Sequence, residues 1–88
     1  MVDRSIMVTL LTVLREQRDL ACGTEENSLF NELNLRANHP ITTPVVREHL
    51  QTAEDHNWAE HKPGLLKDRR WKLTKAGEKA IDDLLHGG

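Results

Sequence analysis

The chain has 88 residues, a formal net charge of −2 and 38% hydrophobic residues, which is the size of one domain, residues 1–88, with one modest core. The apolar segment near the N-terminus is interrupted by Thr9 and Thr12 and is too short to span a bilayer, so it predicts neither a membrane helix nor a signal peptide. Because a lone cysteine, Cys22, excludes an internal disulfide, we expect a cytoplasmic protein.

The charges are unevenly distributed along the chain. Residues 61–79 contain seven Lys and Arg against two acidic residues, a net charge of +5. The rest of the chain contains five basic and twelve acidic residues, a net charge of −7. This uneven distribution of charge predicts a positively charged surface at one end of the domain, which would bind an anionic partner.

A first helix is predicted over residues 4–20, with Asp3 as its N-cap and Gly23 just beyond its end. Its apolar residues recur at helical spacing and form a wide stripe, which consists of Ile6, Met7, Val8, Leu10, Leu11, Val13 and Leu14. A stripe of this width fits burial within the domain and also fits contact with a second subunit, and both interpretations stay open here.

Two more helices are predicted before residue 58. The second begins after Thr24, which we expect to be its N-cap. The third has Thr43 at its cap and Pro44 at its first position, and it ends at Asn57, a residue suited to the left-handed conformation. The buried side of the third helix is predicted to consist of Val46, Leu50 and Ala53.

After the third helix, apolar and polar residues alternate at every second position, as they do in a β-strand. The segments "WAEHK" and "RRWKL" predict a β-hairpin with strands near residues 58–62 and 69–73, and Thr74 then caps a last helix. Because two short strands do not make a stable sheet alone, the hairpin must pack on the helices. We expect Trp58 and Trp71 to face the core rather than to stack on bases.

These segments resemble a known family. "ITTPVVREHLQTAEDHNWAE" is similar to the third helix and first wing strand of winged helix-turn-helix domains, and "DRRWKLTKAG" to the second wing strand and the following helix. Bacterial regulators of the MarR and PadR kinds carry such passages, and the resemblance covers roughly residues 24–85. It implies an α+β, mostly α fold with three helices, a two-stranded β-hairpin wing and a C-terminal helix. Two departures are the long connection "RANHPIT" and Ala53, where the family has a larger apolar residue.

The resemblance implies a transcriptional regulator that binds double-stranded DNA, with the third helix in the major groove and the wing on the backbone. The candidate contacts on the third helix are Thr42, Thr43, Arg47, Glu48 and Gln51, of which Gln51 suits adenine and Glu48 suits cytosine. The candidate phosphate contacts on and beside the wing are Lys67, Arg69, Arg70, Lys72 and Lys75. An ordinary solvated hairpin and a contact with an acidic protein partner remain the alternative interpretations of these cations.

A second function class stays open, because Glu48 and Asp55 on the third helix would repel a phosphate backbone. In that interpretation the domain is a protein–protein interaction module, and the acidic side of its third helix contacts a protein partner. For DNA binding we expect a homodimer, formed by the last helix and the broad apolar side of the first, because two half-sites raise the affinity.

No enzyme, cofactor or metal site is predicted. The sequence has no phosphate-binding glycine loop and no nucleophile elbow, and Asp82 and Asp83 point in different directions on the last helix. The histidines lack the spacing of zinc ligands, and we expect them to be exposed or at the edge of the core: His39, His49, His56, His61 and His86.

Overall fold

A computed structural model describes residues 3–19, 23–37, 40–63 and 69–86. Within these ranges the elements in chain order are α1 (Arg4–Glu16), β1 (Thr24–Glu25), α2 (Glu26–Arg36), α3 (Thr43–Asp55), β2 (Ala59–Pro63), β3 (Arg69–Leu73) and α4 (Lys75–Leu85). This is the predicted order of three helices, a hairpin and a last helix, with one short strand added. We call β2, β3 and the residues between them the wing.

Helix α1 begins as predicted and ends earlier. The Asp3 carboxylate accepts hydrogen bonds from the N–H groups of Ser5 (2.8 Å) and Ile6 (3.2 Å), which makes it the N-cap. The helix ends at Glu16 rather than at residue 20, and residues 17–19 form turns. The sequence there is Gln-Arg-Asp, so these three positions offer no apolar side chain whose burial would offset the ordering of a longer helix.

The wide apolar stripe of α1 is covered by the chain itself. Its buried members are at most 2% exposed and form the centre of the core: Met7, Leu10, Leu11, Val13 and Leu14. Helices α2, α3 and α4 and strand β3 all pack against α1. The predicted dimer contact through the broad side of α1 is therefore wrong for these five side chains, because a second subunit has no access to them.

The sheet contains a strand that the sequence pattern did not predict. Strand β1 pairs antiparallel with β3, with Thr24 opposite Trp71 and Glu25 opposite Arg70, and the strand order is β1-β3-β2. The prediction that Thr24 caps α2 is therefore wrong. Its hydroxyl donates instead to Oε1 of Gln17 at 2.8 Å, and the N-cap position belongs to Glu25.

Helix α3 buries one more residue than predicted. Val46, Leu50 and Ala53 are buried as expected, and His49 is buried with them at 0% exposure. The expectation that His49 is exposed or at the edge of the core is wrong, because position 49 falls on the same helical side as 46, 50 and 53.

Both ends of α3 are set by local contacts. The N-cap is Thr42 rather than the predicted Thr43, and it makes no side-chain capping bond. The connection before it is tied to α2 by the amide of Asn34, which accepts from the Ile41 N–H at 2.9 Å and donates to the Ile41 carbonyl at 3.1 Å. At the other end Asn57 has φ +61°, the predicted left-handed conformation.

The hairpin strands lie close to the predicted ranges, with β2 at Ala59–Pro63 rather than 58–62 and β3 at Arg69–Leu73 as expected. His61 lies opposite Trp71, and Lys62 lies opposite Arg70. Trp71 is buried as expected, whereas Trp58 is only half-buried, because it precedes β2 and stacks on the His56 ring with centroids 4.5 Å apart.

Helix α4 begins at the base of the wing. The Thr74 hydroxyl accepts from the Gly77 N–H at 3.0 Å, so Thr74 is the N-cap that the sequence predicted. The chain then runs back past α1, and Ala80 and Ile81 join the core. The wing and the start of α3 are thereby held on one body formed by α1, α2 and α4.

Candidate nucleic-acid interface

The exposed side of α3 carries all five residues predicted to contact DNA from this helix and its start. Its buried side fixes the rotation of the helix, so the opposite side faces outward. The five candidates are exposed: Thr42, Thr43, Arg47, Glu48 and Gln51. The structure therefore brings these residues together on the N-terminal half of one helix.

Two of these side chains are engaged by acidic residues of the same chain. The Arg47 Nε lies 3.6 Å from Oε2 of Glu26, the first residue of α2. The Gln51 amide donates to Oδ1 of Asp55 at 3.0 Å. The side of α3 available to a partner therefore carries acidic groups, and its single arginine is already beside a carboxylate.

The wing cations are divided between the two faces of the sheet. Because successive side chains of a strand alternate, Arg70 and Lys72 lie on the face opposite to that of Trp71, whereas Arg69 lies on the same face as Trp71. Lys62 is the cross-strand partner of Arg70 and shares its face. The single surface expected from the charge cluster is thus divided, with Lys62, Arg70 and Lys72 on one face of the wing and Arg69 on the other.

The wing cations also differ in their pairing. An Arg70 guanidinium nitrogen lies 3.0 Å from Oε1 of Glu25 across the β1–β3 register. Within the described part of the chain, four other cations make no ion pair or hydrogen bond with protein groups: Lys62, Arg69, Lys72 and Lys75. The remaining candidate, Lys67, lies outside the described residues. The unpaired cations are the groups best able to meet phosphates.

Glu26 on α2 and Glu54 on α3 contact the wing, and the sequence analysis selected neither as a site residue. Oε1 of Glu26 accepts from the Trp71 indole N–H at 3.4 Å, and Nδ1 of His61 contacts the carboxylate of Glu54. Glu25 and Glu26 are neighbours in the sequence, but their partners Arg70, Arg47 and Trp71 lie on distant segments. No local pattern indicates such contacts.

Other kinds of site have little support among the described residues. No group of three or more His, Cys, Asp or Glu side chains in the described ranges is arranged to hold a metal ion. Within the same ranges no helix has both the length and the hydropathy needed to cross a bilayer.

Comparisons with known proteins show the fold. No family model matches the chain, and neither does any curated protein. Among solved structures, it is similar to a point mutant of MepR from S. aureus bound to an oligodeoxyribonucleotide, with a TM-score of 0.73 and 17% sequence identity. The match covers 92% of this chain and 54% of the MepR chain, so this chain spans about half the length of that protein. The winged helix-turn-helix fold expected from the sequence is confirmed.

Proposed function

We propose that the chain is a transcriptional regulator that binds double-stranded DNA, with the N-terminal half of α3 in the major groove and the wing on the backbone. The observation that carries the proposal is the set of unpaired wing cations, on the fold of a protein whose structure was solved with an oligodeoxyribonucleotide. Cations of this kind release counterions on meeting phosphates and supply affinity that is independent of sequence. A bacterial cytoplasm is the setting that fits such a regulator.

The residues of the proposed interface have different roles. Thr42 and Thr43 lie at the N-terminus of α3, where free backbone N–H groups favour a phosphate. Arg47, Glu48 and Gln51 follow on the exposed side, where they would contact base edges in the major groove. Lys67, Arg69, Arg70, Lys72 and Lys75 would contact phosphates and set the orientation of the domain on the duplex.

The proposal is tested by fluorescence anisotropy with a random duplex of about 30 base pairs over a range of salt concentrations. The four candidate phosphate contacts other than Arg70, which pairs with Glu25, predict a slope of log K against log salt of about −3.6. Arg69→Glu and Lys72→Glu each remove one contact, one from each face of the wing, and we expect each to reduce the slope by about 1. Arg36→Glu is the matched control, because Arg36 is exposed at the end of α2 and belongs neither to the candidate contacts nor to the α4 groove. Equal effects of all three variants, or no binding by the wild type at low salt, would contradict the proposal.

A second candidate function is a protein–protein interaction module that uses the exposed side of α3. The observation that favours it is the neutralisation of Arg47 by Glu26, beside the acidic residues Glu48 and Asp55. Such a surface suits a basic protein partner better than DNA. The wild-type chain would then fail to bind the duplex at any salt concentration.

We also propose that the regulator is a homodimer that contacts its partner through α4. The side of α4 near the start of α1 forms a groove of about 540 Å³, lined by Arg4, Trp58, Ala76, Lys79, Ala80, Asp83 and Leu84. Leu85, at the end of α4, is 57% exposed. Light scattering on the intact chain is the test: we expect twice the 10.1 kDa chain mass for the wild type and the single chain mass for Leu85→Glu. A wild-type monomer at all concentrations would contradict the dimer.

A further inference from the structure

We infer that Glu25 and Glu26, called here the acidic pair, lower the non-specific DNA affinity of this domain by competing with phosphates for Arg70 and Arg47. The inference rests on the proposed function and adds a regulatory element to the same site. Two consecutive acidic residues at the junction of β1 and α2 reach both parts of the proposed interface, since one contacts the wing and the other contacts α3.

Glu26 is held in a fixed position. One carboxylate oxygen accepts from the indole N–H of Trp71 at 3.4 Å, and Trp71 is 1% exposed. The other oxygen faces Arg47 Nε at 3.6 Å. The Glu26 side chain is 21% exposed and that of Arg47 is 65% exposed. An ion pair between a fixed carboxylate and a mobile arginine loses the rotamer entropy of one partner only, so it keeps more of its attraction than a pair of two mobile side chains.

Glu25 is positioned by the sheet. It is the direct cross-strand neighbour of Arg70, and opposite charges at such positions stabilise a strand pair. The charged atoms lie 3.0 Å apart and form an ion pair. Arg70 lies on the face of the wing that also carries Lys62 and Lys72. The carboxylate therefore lowers the positive charge of this face.

These contacts have to be given up when either arginine binds DNA. An arginine that leaves a carboxylate for a phosphate exchanges one charge-assisted contact for another, so the net gain is small. The acidic pair therefore reduces the affinity that Arg47 and Arg70 can add on random DNA.

The test uses the intact chain and a random duplex. Glu25→Gln and Glu26→Gln remove the charge and keep the shape, and glutamine at position 26 retains an oxygen for the Trp71 N–H. We expect each variant to bind the random duplex about two- to fivefold more tightly than the wild type. In Glu26→Gln, which removes the carboxylate beside Arg47, the slope of log K against log salt should steepen by about 0.9.

The matched control is Glu16→Gln. Glu16 pairs with Arg36 at 2.5 Å, so this substitution also removes the carboxylate that pairs with an arginine. Neither residue belongs to the proposed interface. An equal gain in Glu16→Gln, or no gain in the two test variants while the wild type binds, overturns this inference and leaves the proposed function in place. If neither the wild type nor the variants bind duplex DNA, the proposed function is wrong and the inference falls with it.

Discussion

The carboxylate of Glu54, near the end of α3, contacts the imidazole Nδ1 of His61 on β2. The imidazole ring also lies 4.7 Å from the Trp71 ring on β3, at an interplanar angle of 41°. From its position on β2, the His61 side chain thus contacts both α3 and β3. Since these elements form the proposed interface, this contact helps to fix the position of the wing relative to α3.

Removing the His61 ring should loosen the wing. We expect His61→Ala to lower the free energy of unfolding by about 1–2 kcal/mol, because it loses the contact with Trp71 and the hydrogen bond to Glu54. Glu54→Gln should cost less, since an amide oxygen still accepts a hydrogen bond. Urea unfolding followed by tryptophan fluorescence measures both variants. A His61→Ala chain as stable as the wild type would show that this junction does not hold the wing.

Gly77 is required by close packing at the base of the wing. A methyl group at position 77 would lie 2.0 Å from the carbonyl oxygen of Trp58 and 2.6 Å from a Leu73 methyl carbon, and a backbone oxygen cannot move aside without distorting the chain. We expect Gly77→Ala to lower the free energy of unfolding by about 3 kcal/mol or more. Ala76→Gly, at the exposed neighbouring position, should cost about 1 kcal/mol or less. Similar denaturation midpoints for the two variants would contradict this packing argument.

The buried His49 joins the start of α1 to α3. Its Nε2 accepts from the Asp3 N–H at 2.9 Å, so the proton of the neutral ring is on Nδ1, which donates to the Val45 carbonyl at 2.7 Å. His49→Leu leaves the Asp3 N–H without this acceptor, and we expect a loss of about 1–3 kcal/mol in thermal or urea unfolding. His86→Leu, on the exposed end of α4, should change the stability by less than about 0.5 kcal/mol. Equal stability of the two variants would argue against the His49 link.

The ion pair between Glu16 and Arg36 should make stability depend on pH. Hydrogen bonding from Arg36, followed by its positive charge, lowers the pKa of Glu16 below the usual 4.5. A lowered pKa contributes stability above pH 4.5, and the contribution disappears as the pH falls through the lowered value. The difference in unfolding free energy between the wild type and Glu16→Gln should therefore be constant near neutral pH and vanish in strong acid. A difference that persists in acid would show that the ion pair is not its cause.

Much of the fold follows from local chemistry in the sequence. Asp3 and Thr74 are side-chain caps because their oxygens reach N–H groups within three residues, and the left-handed Asn57 ends α3 for an equally local reason. The wing strands alternate over five residues each, which is long enough for a period of two to be visible.

The remaining features depend on partners far away in sequence. Strand β1 has two residues and shows no period, so only its pairing with β3 reveals it. Helical spacing alone places position 49 on the buried side of α3. A histidine is nevertheless expected at the surface unless both ring nitrogens have partners inside the protein, and the local sequence does not show that the Asp3 N–H and the Val45 carbonyl are those partners. The charge cluster was visible, yet its division between two faces and the contacts of Glu25 and Glu26 required the register of the sheet.

The most direct test of the proposed DNA-binding role is an NMR titration of the ¹⁵N-labelled chain with random duplex DNA at low salt. The account predicts that amide shifts concentrate in residues 42–51 on α3 and in residues 59–75 of the wing and its base, while the buried centre of α1 stays unchanged. No shifts at saturating DNA, or shifts confined to α1 and the end of α4, would contradict it.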